Sequence, residues 1–362
     1  MAGLYIHVPF CLKKCPYCDF YSLTQLSLRE KYAQAVIRSL NEWRDKTDVQ
    51  CNTLYFGGGT PSVMGGELLG GIINCAKELF LTDDAEITVE CNPSSVDEKL
   101  IHTLALHGVN RISMGVQSAV ENERLALGRL SGKNDVVRAL ETVRKHGITN
   151  VSLDLMLGVP GQTMQSLDES IDFCLQSGVP HISAYMLKIE EGTPFYETAG
   201  SLNLADEDEV CDFYMHVADR FTSAGMLHYE ISNFALPGFE SRHNLNYWDC
   251  GEYLGIGPAA HSFLGGKRFY YERDIASFIE GTPPVEDGTG GDFEEYVMLR
   301  LRLSEGLVNS KVKKRFGFDI PEAMVKKASA AALRNFVVCN GDGIRLNTNG
   351  FLLSNCIICE IL

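Results

Sequence analysis

Short runs rich in β-branched and aromatic residues alternate with longer amphipathic stretches through the first two-thirds of the chain. The two periods are distinct, near 2 for the short runs and near 3.6 for the long ones, so the pattern predicts alternating strands and helices. Strands are expected at Leu4–Val8, Thr53–Phe56, Glu86–Cys91, Asn110–Met114, Val151–Leu155 and His181–Met186. Helices are expected at Leu28–Arg44, Gly66–Leu79, Val96–His107, Asn134–His146, Met164–Gln176 and Glu207–Ala224. Gly108, Gly147, Gly178 and Gly225 each follow a helical run where a left-handed glycine would end it.

Six successive βα units imply a parallel sheet with right-handed crossovers, an open or partial (β/α)6 barrel whose site lies at the carboxyl ends of the strands. After about Gly265 the pattern changes. Asp292–Leu303, Lys311–Arg315 and Pro321–Asn335 read as helices, and Phe336–Val338 with Ile344–Leu346 as a hairpin. The fold class is therefore α/β: a barrel over residues 1–265, then a small winged-helix-like α+β domain over residues 266–362.

The length of 362 residues supports a large core, and 45% hydrophobic with 22% charged residues is ordinary for a globular chain. The first ten residues read as a strand and no apolar run is long enough to span a bilayer, which gives a cytoplasmic expectation. A net charge of −15 repels polyanions and argues against a nucleic-acid partner, including for the winged domain. Twelve cysteines in such a chain point to metal or buried thiols instead of a disulfide framework. Cys51, Cys75, Cys91, Cys174, Cys211, Cys250 and Cys339 read as small buried hydrophobes, and the Cys356–Cys359 pair as two buried helical thiols.

Cys11, Cys15 and Cys18 follow the first strand directly, in a loop on the expected rim. Spacings of four and three let three thiolates wrap one face of an iron–sulfur cube, whereas tetrahedral zinc wants a fourth ligand that Phe20 and Ser22 do not supply. At the end of the second strand, Tyr55-Phe56-Gly57-Gly58-Gly59-Thr60-Pro61 carries three glycines that let backbone approach a small polar ligand closely. Two such motifs on one rim reinforce each other.

With these motifs the sequence resembles the radical SAM superfamily over nearly its whole length, in the oxygen-independent coproporphyrinogen III oxidase-like branch. The resemblance implies a [4Fe–4S] cluster on Cys11, Cys15 and Cys18. Its open iron would be chelated by S-adenosylmethionine (SAM), whose reductive cleavage yields a 5′-deoxyadenosyl radical. It further implies that Tyr17 lies against the adenine, Tyr5 near the sulfonium, and Gly58, Gly59 and Thr60 around the methionyl amine. Glu90, Gln117 and Asp154, at the ends of the third, fourth and fifth strands, complete the implied SAM set. Arg129 completes it as a fork for the methionyl carboxylate.

Within that branch, oxidative decarboxylation of coproporphyrinogen III is one reading. The decarboxylase pattern has a fourth cysteine where this chain has Phe20, and a longer segment before the cluster than precedes Cys11. The segment Arg242-His243-Asn244-Leu245-Asn246-Tyr247-Trp248 instead resembles the signature of the heme chaperones of the branch. That likeness implies heme as ligand with His243 binding it, and heme-accepting respiratory proteins, membrane-associated ones included, as partners. Tyr247 and Trp248 offer flat apolar surface and Arg242 a cation for a propionate. Without the likeness, His243 is a polar loop histidine beside two core aromatics. His261 receives no role, and the sequence leaves open whether two copies associate. Anaerobic reconstitution should give a brown protein with the broad visible band of a thiolate-bound cluster. Replacing Cys11, Cys15 and Cys18 together by Ala should bleach it, and full retention of iron and sulfide would overturn the ligand assignment.

Overall fold

The computed structural model describes residues 1–129, 131–330 and 333–362. Six parallel strands form its centre: β1 (Ala2–Val8), β2 (Cys51–Gly58), β3 (Leu81–Cys91), β4 (Arg111–Gln117), β5 (Asn150–Leu157) and β6 (His181–Met186). They pair strictly in chain order, each with the next. Helices Gly66–Leu79 and Met164–Gln176 have the bounds that the periodicity predicts. Gly108, Gly147, Gly178 and Gly225 all take positive φ, between 65° and 90°, as helix-ending glycines do.

Side chains on these strands divide sharply between the two faces. Leu4, Ile6, Leu54, Phe56, Val89, Ile112, Met114, Leu153, Leu155 and Ile182 are fully buried against the helices, and their burial drives the sheet-to-helix packing. The intervening positions are polar or glycine. Gly3, Tyr5 and His7 pair in register with Thr53, Tyr55 and Gly57, and Ser113 and Gly115 pair with Ser152 and Asp154. Continuous apolar runs are the rule for parallel strands covered on both faces. Here one face is polar, so the inside of the sheet is a lined chamber and not a packed core.

The sheet is longer than the periodicity predicts. β8 (Asn233–Ala235) adds antiparallel to β6 and β7 (Leu227–Glu230) antiparallel to β8, and β9 (Tyr253–Ile256) runs parallel to β1 on the opposite edge. β10 (His261–Leu264), β11 (Lys267–Tyr270) and β12 (Val285–Thr289) follow antiparallel, making twelve strands in the order β12-β11-β10-β9-β1-β2-β3-β4-β5-β6-β8-β7. The expected boundary at 265/266 falls inside the β10–β11 hairpin. Gly265 and Gly266 take φ of 61° and 74° and form its turn, which in sequence looks like a linker.

The C-terminal unit has helices Phe293–Arg300, Asn309–Phe316 and Glu322–Ala328, then the sheet β13 (Leu307–Val308), β15 (Gly343–Leu346) and β14 (Val337–Asn340). The predicted Pro321–Asn335 helix ends at Ala328, and residues 331 and 332 lie outside the described residues. The final helix, Ser354–Ile361, buries Ile357, Ile358 and Ile361 and turns Cys356 and Cys359 to solvent. Both thiols are exposed, contrary to the expectation, because they sit on the flank opposite those isoleucines. Cys75, Cys211 and Cys339 are also only partly buried.

Arg300 ties this unit to the large sheet. It is 1% exposed, pairs with Asp249 and Glu305, and its Nε donates to Gly306 O at 3.0 Å. Arg315 adds bonds to Asp249 O at 3.1 Å and Cys250 O at 2.9 Å. Because Asp249 and Glu305 can rehydrate when released, Arg300→Leu should lower the unfolding free energy by about 2 kcal/mol in urea titration, and an unchanged midpoint would remove Arg300 as the tie.

Candidate functional site

The three cysteines lie just past the carboxyl end of β1, all half-buried. Their loop is held from two sides. Gly59 N donates to Val8 O at 2.8 Å and Thr60 N to Phe10 O at 2.7 Å, laying the glycine segment along the approach to Cys11. A Cβ on Gly59 would sit 2.6 Å from Phe10 O, so only glycine permits that approach. Thr60 Oγ1 lies 3.6 Å from Cys11 Sγ, and Arg129 Nη1 donates to Cys15 Sγ at 3.9 Å. Among the described residues no three His, Cys, Asp or Glu side chains close round a single metal ion, and a four-iron cube is wider than one ion. Cys18 has its thiol pKa raised, first by burial and also by the nearby Cys15 and Cys11 sulfurs, so the three sulfurs share one locality.

The expected SAM residues converge on the same mouth. Arg129 Nη2 donates to Gly115 O at 2.8 Å, while its buried Nε has no partner. An unpaired guanidinium N–H inside a protein is costly and suits a carboxylate that a ligand supplies. Gly115 leaves room for this: a Cβ there would lie 2.6 Å from Gln117 Nε2. Gln117 itself takes φ of 68°, a left-handed conformation that a non-glycine residue rarely adopts outside functional sites.

Tyr17 packs at 6.2 Å on Phe195, against a small apolar cluster with Leu127, Met156 and Val159. Gly58 takes φ of 104°, and a Cβ on it would meet the His7 ring at 2.6 Å. Tyr5 donates to His7 Nδ1 at 3.0 Å; the opposite nitrogen must carry the proton, because its partner at 2.9 Å is the carbonyl of Tyr21. Burial lowers the pKa of His7, which keeps the ring neutral and this relay directional.

Two half-buried carboxylates face this mouth. Tyr55 OH donates to Glu90 Oε1 at 2.7 Å, and Ser113 Oγ donates to Asp154 at 3.3 Å. Burial pushes Glu90 up to about 7, against the Tyr55 bond, which lowers it; Asp154 adjacent raises it and Arg111 lowers it. Burial raises Asp154 as well, opposed by Ser183, Arg111, Ser113 and Arg129. These donors and cradles fit a zwitterionic ligand with one carboxylate, one ammonium and ribose hydroxyls.

His243 is not on this rim. It lies at the amino ends of the strands, 2% exposed, in the short helix Arg242–Trp248 that plugs the chamber floor. Thr53 Oγ1 holds its Nδ1 at 2.8 Å and Tyr247 OH its Nε2 at 3.0 Å, while its ring stacks on Tyr55 at 5.0 Å and 23°. Burial pushes it down to about 3, so the imidazole is neutral. The residue expected from sequence as a heme-binding or polar loop histidine therefore lies in a helix, with both ring nitrogens engaged. Trp248 is half-buried and Arg242 exposed, its Nη1 bound to Asp84 O at 2.8 Å.

Sequence reasoning missed the rest of the lining. Arg111 is 2% exposed with Nε unpaired, and it is the cation that opposes burial at both Glu90 and Asp154. Glu86 accepts from the backbone N–H of Arg242 and His243, each at 3.2 Å. His181 joins Ser152 at 2.7 Å and Tyr229 at 2.9 Å. The signal was the period-2 alternation itself, as in Arg111-Ile-Ser113-Met-Gly115. If ionised Glu90 accepts from SAM, affinity should fall as pH drops through about 7. Tyr55→Phe removes a bond that favours the anion and should move that midpoint upward; a midpoint unmoved in equilibrium titrations would exclude Glu90 from the contact.

The family model described as "Radical SAM superfamily" matches residues 5–174, and that described as "HemN C-terminal domain" matches residues 292–353. A Mycobacterium tuberculosis protein named "Heme chaperone HemW" is 34% identical over 376 residues, covering 99% of this chain and 94% of its own. The Bacillus subtilis protein of that name is 32% identical at 98% and 97% coverage, and the Escherichia coli one 37% at 84% and 83%. The solved coproporphyrinogen III oxidase HemN of Escherichia coli superposes with a TM-score of 0.85 at 19% identity, over 99% of this chain and 89% of that one, a likeness of fold. With 34% identity over 99% of the chain to a protein of that name and a radical SAM family match over residues 5–174, the chain belongs to the HemW family of the radical SAM superfamily.

Proposed function

We propose that this protein binds heme and passes it to heme-accepting respiratory proteins, with the cluster and SAM serving that transfer. The observation that carries the reading is kinship at 32–37% identity, over 84–99% of the chain, with proteins named heme chaperones. A second feature favours it over porphyrinogen decarboxylation: Phe20, 65% exposed, stands where the decarboxylase pattern has a fourth cysteine. Among the described residues no helix is long and apolar enough to cross a membrane, so membrane-associated acceptors would be met from outside the bilayer.

When bound, the cluster supplies an electron and an open coordination position. The chain's own residues do the rest. Arg129 would take the methionyl carboxylate, Glu90, Gln117 and Asp154 the ammonium and ribose, Tyr17 the adenine, and Tyr5, fixed by His7, the sulfonium side. Gly58, Gly59 and Thr60 would shape the backbone around the amine. His243 is the candidate iron ligand at the other end of the chamber, reached by displacing the Arg242–Trp248 helix, a movement that would also release Arg242 from Asp84 to meet a propionate.

Heme titration of reconstituted protein should give a Soret shift, and His243→Ala should weaken binding by about tenfold or more, the loss expected for one strong ligand bond. No shift in the wild type would overturn heme binding, and equal binding by the variant would remove His243 as ligand. Protoporphyrinogen formation from coproporphyrinogen III by the same sample would favour the decarboxylase instead.

A further inference from the structure

One imidazole serves both ends of the chamber. The His243 ring fills the space over Gly3, where a Cβ would meet it at 3.2 Å, and stacks on Tyr55. Tyr5 lies against it at 6.3 Å. Tyr55 in turn holds Glu90 through its hydroxyl, at 2.7 Å. A bond to heme iron needs a free ring nitrogen and an open plane the width of a porphyrin. A ring that is 2% exposed, with Thr53 on one nitrogen and Tyr247 on the other, has neither. Ligation therefore takes the ring out of its slot, leaving Thr53 without its partner and Tyr55 without its stacked neighbour.

We propose that heme and SAM are antagonistic ligands of this protein, coupled through His243. Heme draws the ring away from Tyr55 and loosens the Glu90 side of the SAM site, while bound SAM holds the ring in place. The inference rests on the heme-ligand reading of His243 given above. The moving part is the Arg242–Trp248 helix, whose first amides are held by Glu86 and whose far end is clamped at Asp249 by Arg300 and Arg315. Coupling of this kind is reciprocal: whatever factor heme takes from SAM affinity, SAM takes from heme affinity.

The experiment uses the full chain with its cluster reconstituted anaerobically. SAM affinity is measured with and without ferric heme, and heme affinity from the Soret band with and without SAM. Each ligand should weaken the other by the same factor, about tenfold. His243→Phe keeps an aromatic ring on Tyr55 but cannot ligate iron, so it should lose the His-dependent Soret shift, and the SAM affinity it retains should no longer respond to heme. His243→Ala should weaken SAM even without heme. A His243-dependent Soret shift with SAM affinity unmoved by heme would overturn the antagonism and leave the ligand assignment standing. Heme binding indifferent to both substitutions would overturn the ligand assignment and the coupling built on it, and a normal SAM affinity in heme-free His243→Ala would separately refute the hold on Tyr55.

Discussion

A polar face turned inward on six parallel strands is the constraint on which the remaining structure depends. Burial of so many hydroxyls, imidazoles and carboxylates is tolerable only where each finds a partner. The chamber supplies them in short chains: Tyr5 to His7 to the Tyr21 carbonyl, Tyr55 to Glu90, Ser113 to Asp154, and Ser152 to His181 to Tyr229. Groups left without partners, among them Arg129 Nε, Arg111 Nε, Thr88 Oγ1, Asn150 Oδ1 and Asn233 Oδ1, mark where protein alone does not complete the network. Only Arg129 among them lies at the mouth, beside Cys15 and Gly115.

The same constraint explains the floor. A chamber open at both ends would admit water to Arg111 and the carboxylates and weaken every electrostatic interaction inside. The Arg242–Trp248 helix closes the amino end, and its attachments are polar on both sides. Glu86 holds its first amides, and Arg300 and Arg315 hold the residues just after it. A plug fixed by hydrogen bonds and an ion pair can be released without dismantling an apolar core, which separates it from the helices packed on the outer face.

The central strands, their helices and the cluster loop were legible because each rests on local pattern: a β-rich run, a 3.6 period, a cysteine spacing. The outer strands were not. β8 and β13 have three and two residues, too few to display a period, and β7 and β9–β12 are short pieces whose pairing is set by neighbours distant in sequence. Gly265-Gly266 read as a domain boundary because a tight hairpin and a linker share the same residues. Arg111 was overlooked because a lone arginine at the start of a strand resembles a surface charge until its register with Thr88 and Asn150 places it inside. His243 was identified by its motif, but its slot beside Tyr55 was not legible, since it depends on contacts some 190 residues apart.

Under the proposed antagonism, the layered chamber also sets how one ligand would be sensed by the other. Thr53 marks the level of His243, and Gly57, four residues on along β2, stands at the level of the glycine motif. At about 3.3 Å per residue the two levels are about 13 Å apart, so the His243 ring does not reach the glycine motif, and Tyr55 stands midway between them. Salt-screened charge is a poor messenger over that distance in a chamber that ligands open and close. Tyr55 bridges it instead, with its ring against His243 and its hydroxyl on Glu90. A rigid aromatic held at both ends has few arrangements available, so displacement at one end must be felt at the other. The segment around His243 and the residues of the rim, far apart in sequence, therefore meet at the side chain of Tyr55.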